Sequence, residues 1–343
     1  GTLENQLSLA AIHFTRANYQ DALDIYQKIL ATHPDFLAIY AYIAMCQFKL
    51  DLFQESNDSI DEYLAVNSDS AVSLNLKACS YFRIFGAEIA ESQLLQIKKF
   101  SSATYDFVDS IIQHNVLIFH DGENGLTILP KLIDVIPEAR YNLSILYLRQ
   151  NEPVEAYNVI KDIDPLDPAD AILKAIISYA AGESTDNEVL IQEANTTFAE
   201  IGQMEVIKDT IPGRQCFAMS KFIEGDYESA LRILHTIEEF IGTTDEFKYI
   251  GMTLAALSRY KEAESYFVGI ENEDYKQELF YTSWLAKCFI KNNKCDKAWE
   301  LYIQATQTDD ANTLLQIISN EAYLSGQYYY AMKAYDVISQ FDG

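Results

Sequence analysis

The chain has 343 residues, 49% hydrophobic and 22% charged, which is too apolar for a disordered protein and enough to bury a large core. Acidic residues outnumber basic ones 51 to 25, a formal charge of −26. That balance disfavours nucleic acid and anionic membrane as main partners, because gripping phosphates needs clustered Lys and Arg.

Only 7 Pro and 13 Gly occur, as suits a chain dominated by long helices. The five cysteines (Cys46, Cys79, Cys216, Cys288, Cys295) are odd in number and scattered, so a reducing compartment is expected rather than a disulfide framework. No apolar run approaches the length of a membrane span, and direct membrane insertion is not expected. The chain opens without an initiator Met and stops just after a helical pattern, which predicts a piece of a longer protein.

Taken in chain order, the predicted elements are helix pairs marked by a small residue with a large one four places on. The first pair carries Ala22 and Tyr26 in "DALDIY". Ser56/Ile60, Ala90/Leu94, Gly125/Leu129 and Ala156/Ile160 follow. Then come Ala194/Phe198, Ala230/Leu234, Ala263/Phe267, Ala298/Tyr302 and Ala331/Tyr335. The small anchors thus recur with a period of about 34 residues, the tetratricopeptide length. Twelve places before an anchor sits another small residue, such as Ala10, Ala44, Ala78, Ser144, Ala218, Gly251, Ala286 or Ser319. An aromatic often stands three before it (Tyr19, Phe53, Tyr227, Tyr260, Tyr328), and Pro34, Pro137 and Pro168 close their units twelve after.

Two helices pack closely only if small residues meet at the crossing, with larger ones filling the space a turn away. One hairpin cannot bury its apolar stripe, but stacked neighbours can. The period and grammar are those of the tetratricopeptide repeat. The expected fold is all-α: a single solenoid over 1–343 of about ten hairpins forming a right-handed superhelix. Regularity breaks at 181–189, read as a hairpin turn lengthened by four residues. It breaks again at 201–216, the best sequence candidate for a hinge or docking loop.

Chemistry is sparse. No phosphate-binding loop, nucleophile elbow, zinc-protease or dinucleotide motif occurs, so no enzyme, cofactor or small-molecule substrate is expected. Cys288 and Cys295 are separated by six residues across a turn rather than at zinc spacing. "HDGENG" (120–125) lacks the further ligands of a calcium loop and reads as a hairpin turn. Binding positions are better marked. Phe14, Phe48 and Phe82 recur once per unit on the first helices, and Met45, Met219 and Met252 share another lining position. Such residues suit a groove for an amphipathic helix or extended peptide; packing between neighbouring hairpins is the alternative. Lys287, Lys291 and Lys294 share one face if their helix runs that far, either to meet an acidic partner or as a solvated stripe.

Several strings are more specific than the repeat grammar. "VIPEARYNLSILYLRQNEPVEAYNVIKD" (135–162), "DTIPGRQC" (209–216), "SWLAKCFI" (283–290) and "GQYYYAMKAYDVI" (326–338) resemble the intraflagellar transport protein 56 family, also called tetratricopeptide repeat protein 26. The resemblance runs along essentially the whole chain. It implies a non-catalytic subunit of intraflagellar transport complex B. The implied partners are other complex-B subunits and ciliary, motility-related cargo, and the implied location is the cilium, its base and the cytoplasm. It supplies no catalytic residues. A second reading is a co-chaperone clamping the C-terminal peptide of a heat-shock chaperone. That needs converging Lys, Arg and Asn, whereas the first three units offer mainly Leu7, Ala11, Phe14, Ala41, Met45, Phe48, Asn75, Cys79 and Phe82.

Overall fold

The computed structural model describes residues 2–100, 106–305 and 310–341. Among them it holds 21 α-helices and two short 3-10 turns, with no strand. The chain falls into two compact units, Gly1–Thr197 and Phe198–Gly343.

In the first unit the hairpins are α1 (Leu3–Thr15) with α2 (Tyr19–Thr32), α3 (Ala38–Lys49) with α4 (Phe53–Leu64), and α5 (Ala71–Phe85) with α6 (Ala87–Phe100). The fourth pairs α7 (Asp106–Phe119) with only one turn of α-helix, α8 (Gly125–Ile128), and a 3-10 turn at Leu129–Lys131. Then follow α9 (Pro137–Arg149) with α10 (Pro153–Ile160), and α11 (Pro168–Thr185) with α12 (Glu188–Gln203), inside which the division between the units falls. The second unit holds α13 (Ile211–Ile223) with α14 (Tyr227–His235), a single extra turn α15 (Glu238–Ile241), and α16 (Phe247–Ala256) with α17 (Tyr260–Gly269). It continues with α18 (Leu279–Lys291) and α19 (Cys295–Ala305), then α20 (Ala311–Leu324) and α21 (Tyr328–Phe341).

The anchors do what their size predicts. All ten, from Ala22 to Ala331, are buried, and so are the eight small residues twelve places before them. At one crossing the hydroxyl of Ser56 donates to the carbonyl of Ala44 at 2.9 Å, so the second helix lies against the first helix's backbone. At another, a Cβ on Gly251 would stand 2.8 Å from Phe267 Cε2, which leaves glycine as the residue that admits the ring. Tyr26, Phe198, Phe267 and Tyr302 are buried in their units as the spacing predicts, whereas Tyr335 is 47% exposed.

Three details differ from the sequence reading. Pro34 does follow a helix end, but Pro137 and Pro168 occupy the first turn of α9 and α11, where a missing N–H costs nothing. The four extra residues of the sixth hairpin do not lengthen a turn. Only 186–187 separate α11, with 18 residues, from α12, with 16, and Asp186 reverses the chain with φ +51° eight places before the anchor, so the added length lies within helix. The 201–216 segment is mostly helix, with only 204–210 between α12 and α13. That link is tightly held: a Cβ on Gly213 would collide with the carbonyl of Ile207, and one on Gly202 would stand 2.6 Å from Phe217 Cβ. The "IPGRQC" glycine therefore serves close packing of backbone on backbone.

Candidate functional site

The three phenylalanines of the expected ladder are half-buried, and each ring is engaged within the first unit. Phe14 meets Tyr19 edge to face at 5.2 Å, and Phe48 meets Phe53 in the same way at 5.4 Å. Arg83 caps the Phe53 ring at 4.6 Å. Phe82 stacks on Phe119 at 4.6 Å and 19°. In the first two hairpins the aromatic three places before the anchor is thus the partner of the lining phenylalanine, and Phe222 with Tyr227 repeats the pairing in the second unit at 5.0 Å. Met45 lies in the first unit, Met219 and Met252 in the second, all half-buried, with Met252 packed on its unit's core.

After the second hairpin the first helices turn polar, which the sequence reading did not find. Asn115 Nδ2 donates to Asn75 Oδ1 at 2.6 Å. His114 lies between two amides: its Nδ1 is 3.0 Å from Asn115 Oδ1, and its Nε2 is 2.9 Å from Asn142 Nδ2. Each ring nitrogen therefore has an amide within hydrogen-bond distance. The chain Asn75–Asn115–His114–Asn142 links hairpins three, four and five. No local motif announces it, because its members stand on three helices far apart in sequence.

The lysine stripe does not form as expected. Helix α18 ends at Lys291, so Lys294 stands beyond it in the turn. Lys287 and Lys291 converge on Glu321 of α20, at 3.7 and 3.1 Å, and Lys291 also donates to Ser325 at 3.0 Å. Lys294 pairs with Glu264 of α17, in the preceding hairpin, at 2.6 Å, where Asn292 joins it at 2.6 Å. The three cations are hairpin-to-hairpin ties pointing two ways. Trp284 and Trp299 belong to the same packing: Trp284 stacks near Phe267 at 6.3 Å, and Trp299 lies under Lys333 at 4.0 Å.

All five thiols are free and shielded. Burial pushes Cys46 and Cys288 up to about 12, and Cys79 and Cys216 up to about 11; it raises Cys295 as well. Thiols held protonated are poor nucleophiles and poor metal ligands. Among the described residues, no three His, Cys, Asp or Glu side chains are grouped to hold a metal ion, and no helix is long and apolar enough to cross a membrane.

Paired helices with buried small residues at each crossing, repeating about every 34 residues, define a tetratricopeptide-type repeat protein. The chain belongs to the intraflagellar transport protein 56 family, whose profile matches residues 1–343. It is 27% identical over 358 residues to the intraflagellar transport protein 56 homolog of Caenorhabditis elegans, covering 99% of this chain and 62% of that protein. It therefore spans less than two thirds of that relative's length.

Solved structures similar to it include the tetratricopeptide domain of P58(IPK), at 14% identity and TM-score 0.32, covering 99% of this chain and 93% of that one. Another is human IFIT1, solved as a dimer with PPP-AAAA, at 12% identity and TM-score 0.47, covering 87% and 81%. With TM-scores below 0.5, neither likeness bears on function, and the repeat class rests on this chain's own hairpins.

Proposed function

We propose that this chain is a non-catalytic scaffold of intraflagellar transport, which binds other subunits of complex B and contributes to moving ciliary, motility-related cargo. The observation that carries the reading is the family match along residues 1–343. The hairpins support it physically: closely packed crossings give a stiff framework whose first-helix faces combine half-buried Phe and Met with amide groups. Such faces suit partner helices or extended segments. Phe14, Phe48, Phe82, Met45, Met219 and Met252 are the proposed contact positions, and Lys287, Lys291 and Lys294 are proposed polar ones. The proposed location is the cilium, its base and the cytoplasm.

The test is binding of the purified chain to complex-B subunits supplied singly and in pairs, followed by co-elution on a sizing column at moderate salt. Stable co-elution with at least one subunit is expected. A folded, helical chain that elutes alone in every mixture overturns the reading.

A further inference from the structure

In the fourth hairpin the second helix stops after one turn. The second helices on either side of it, α6 and α10, run 14 and 8 residues. Gly125–Ile128 has only 4 before the chain tightens into the 3-10 turn. Beside this remnant lies a cleft of about 410 Å³, between the middle of α6 and the last half of α7. Its floor is apolar, with Leu95, Val116 and Ile128 among the lining residues, and Leu95 is left 47% exposed. Its charged rim is acidic: Glu91 and Glu123 line it, and among the described residues no Lys or Arg does. His120 joins that rim, with Nε2 3.1 Å from Glu91 Oε2.

We propose that this cleft docks a short amphipathic helix of a partner protein, with leucine-like side chains on one face and Lys or Arg flanking them. Apolar side chains beside exposed Leu95 are what the helix-in-groove mode uses, in which residues a turn apart enter an apolar trough. The volume falls within the range of ligand clefts. Charge selects the occupant, because two carboxylates at the rim favour a cationic flank and repel an acidic one. The site lies between the second helix of the third hairpin and the first helix of the fourth, and none of the contact positions proposed above lines it. It stands or falls independently of complex-B membership.

The experiment uses the intact chain and three labelled peptides of equal length: a Leu/Lys amphipathic helix, its Leu/Glu counterpart, and a version with serine for leucine that keeps the lysines. Fluorescence anisotropy at moderate salt should show the Leu/Lys peptide binding and the other two at least about tenfold weaker. Leu95→Asp and Glu123→Lys should each reduce binding at least about tenfold, with circular-dichroism melts unchanged because both side chains are exposed. Hydrogen exchange should show new protection confined to 88–97 and 112–128. Equal binding to wild type and both variants, protection spread elsewhere, or no binding of the Leu/Lys peptide would each overturn the proposal.

Discussion

At the scale of single residues, the turn chemistry is as periodic as the crossings. Five places before the anchor, Ala17, Asp51, Asn151, Gly225, Ser258, Asn293 and Gly326 all have φ between +59° and +78°. Side chains rarely adopt that left-handed region, at a cost of about 1–2 kcal/mol. A Cβ on Gly225 would meet nothing within 4 Å, so Gly225→Ala isolates the backbone effect. It should lower stability by about 1 kcal/mol in equilibrium urea unfolding. At the crossings the cost is packing. Ala263→Leu should lose about 1–3 kcal/mol and Phe267→Ala about 3–5 kcal/mol by the same measurement.

Protonation adds a third residue-level prediction. Thiols ordinarily titrate at 9.0, and Cys46 and Cys288 are held up to about 12 in the fold. Burial raises Tyr26 and Tyr141 from 10.0 to about 12 in the same direction. As pH rises past 9 the unfolded chain releases these protons before the folded one, so stability falls with pH up to about 12. Thermal melts at about pH 8 and about pH 10.5 should show a lower midpoint at the higher pH. An unchanged midpoint would mean that these groups ionise alike in both states.

At the scale of elements, neighbouring hairpins in the second unit are held by polar ties as well as by apolar faces. Glu321 is only 19% exposed and receives two lysines from α18. Glu321→Gln keeps the shape and removes the charge. It should cost about 1 kcal/mol, and hydrogen exchange should quicken first in α20 and α21. Uniform quickening across the unit would argue against a local tie.

Much of this level was legible in sequence. Small-residue spacing located the hairpins because a crossing tolerates nothing large. The ends were less legible. The sixth hairpin took its added length into helix, since "AGEST" has no residue that forbids helix and Asp186 supplied the reversal. The shared lysine face was conditional on α18 reaching Lys294, and the helix stops at Lys291, where the turn gives Asn293 a positive φ. The cleft beside α8 depends on how far a short helix continues, and the weak Gly125/Leu129 copy hinted only that something differs there.

At the scale of the whole molecule, stacked hairpins make stability a sum of repeat and neighbour terms rather than one global core. The described core follows this: separate apolar clusters serve successive hairpins in the first unit, and one larger cluster runs through hairpins seven to ten in the second. The net charge of −26 adds self-repulsion that salt relieves. The legible part here was the repeat period. The division into two compact units was not, because it falls inside a continuous helix with no Pro, Gly run or change of composition to mark it.

The long helices of the sixth hairpin show how such an architecture tolerates change. Four added residues advance a helix by slightly more than one revolution, so the side chains beyond the insert return close to the faces they had before. Two added residues would rotate them to the opposite side. Length in these hairpins is therefore counted in whole turns, and the chain accepts growth when it preserves phase.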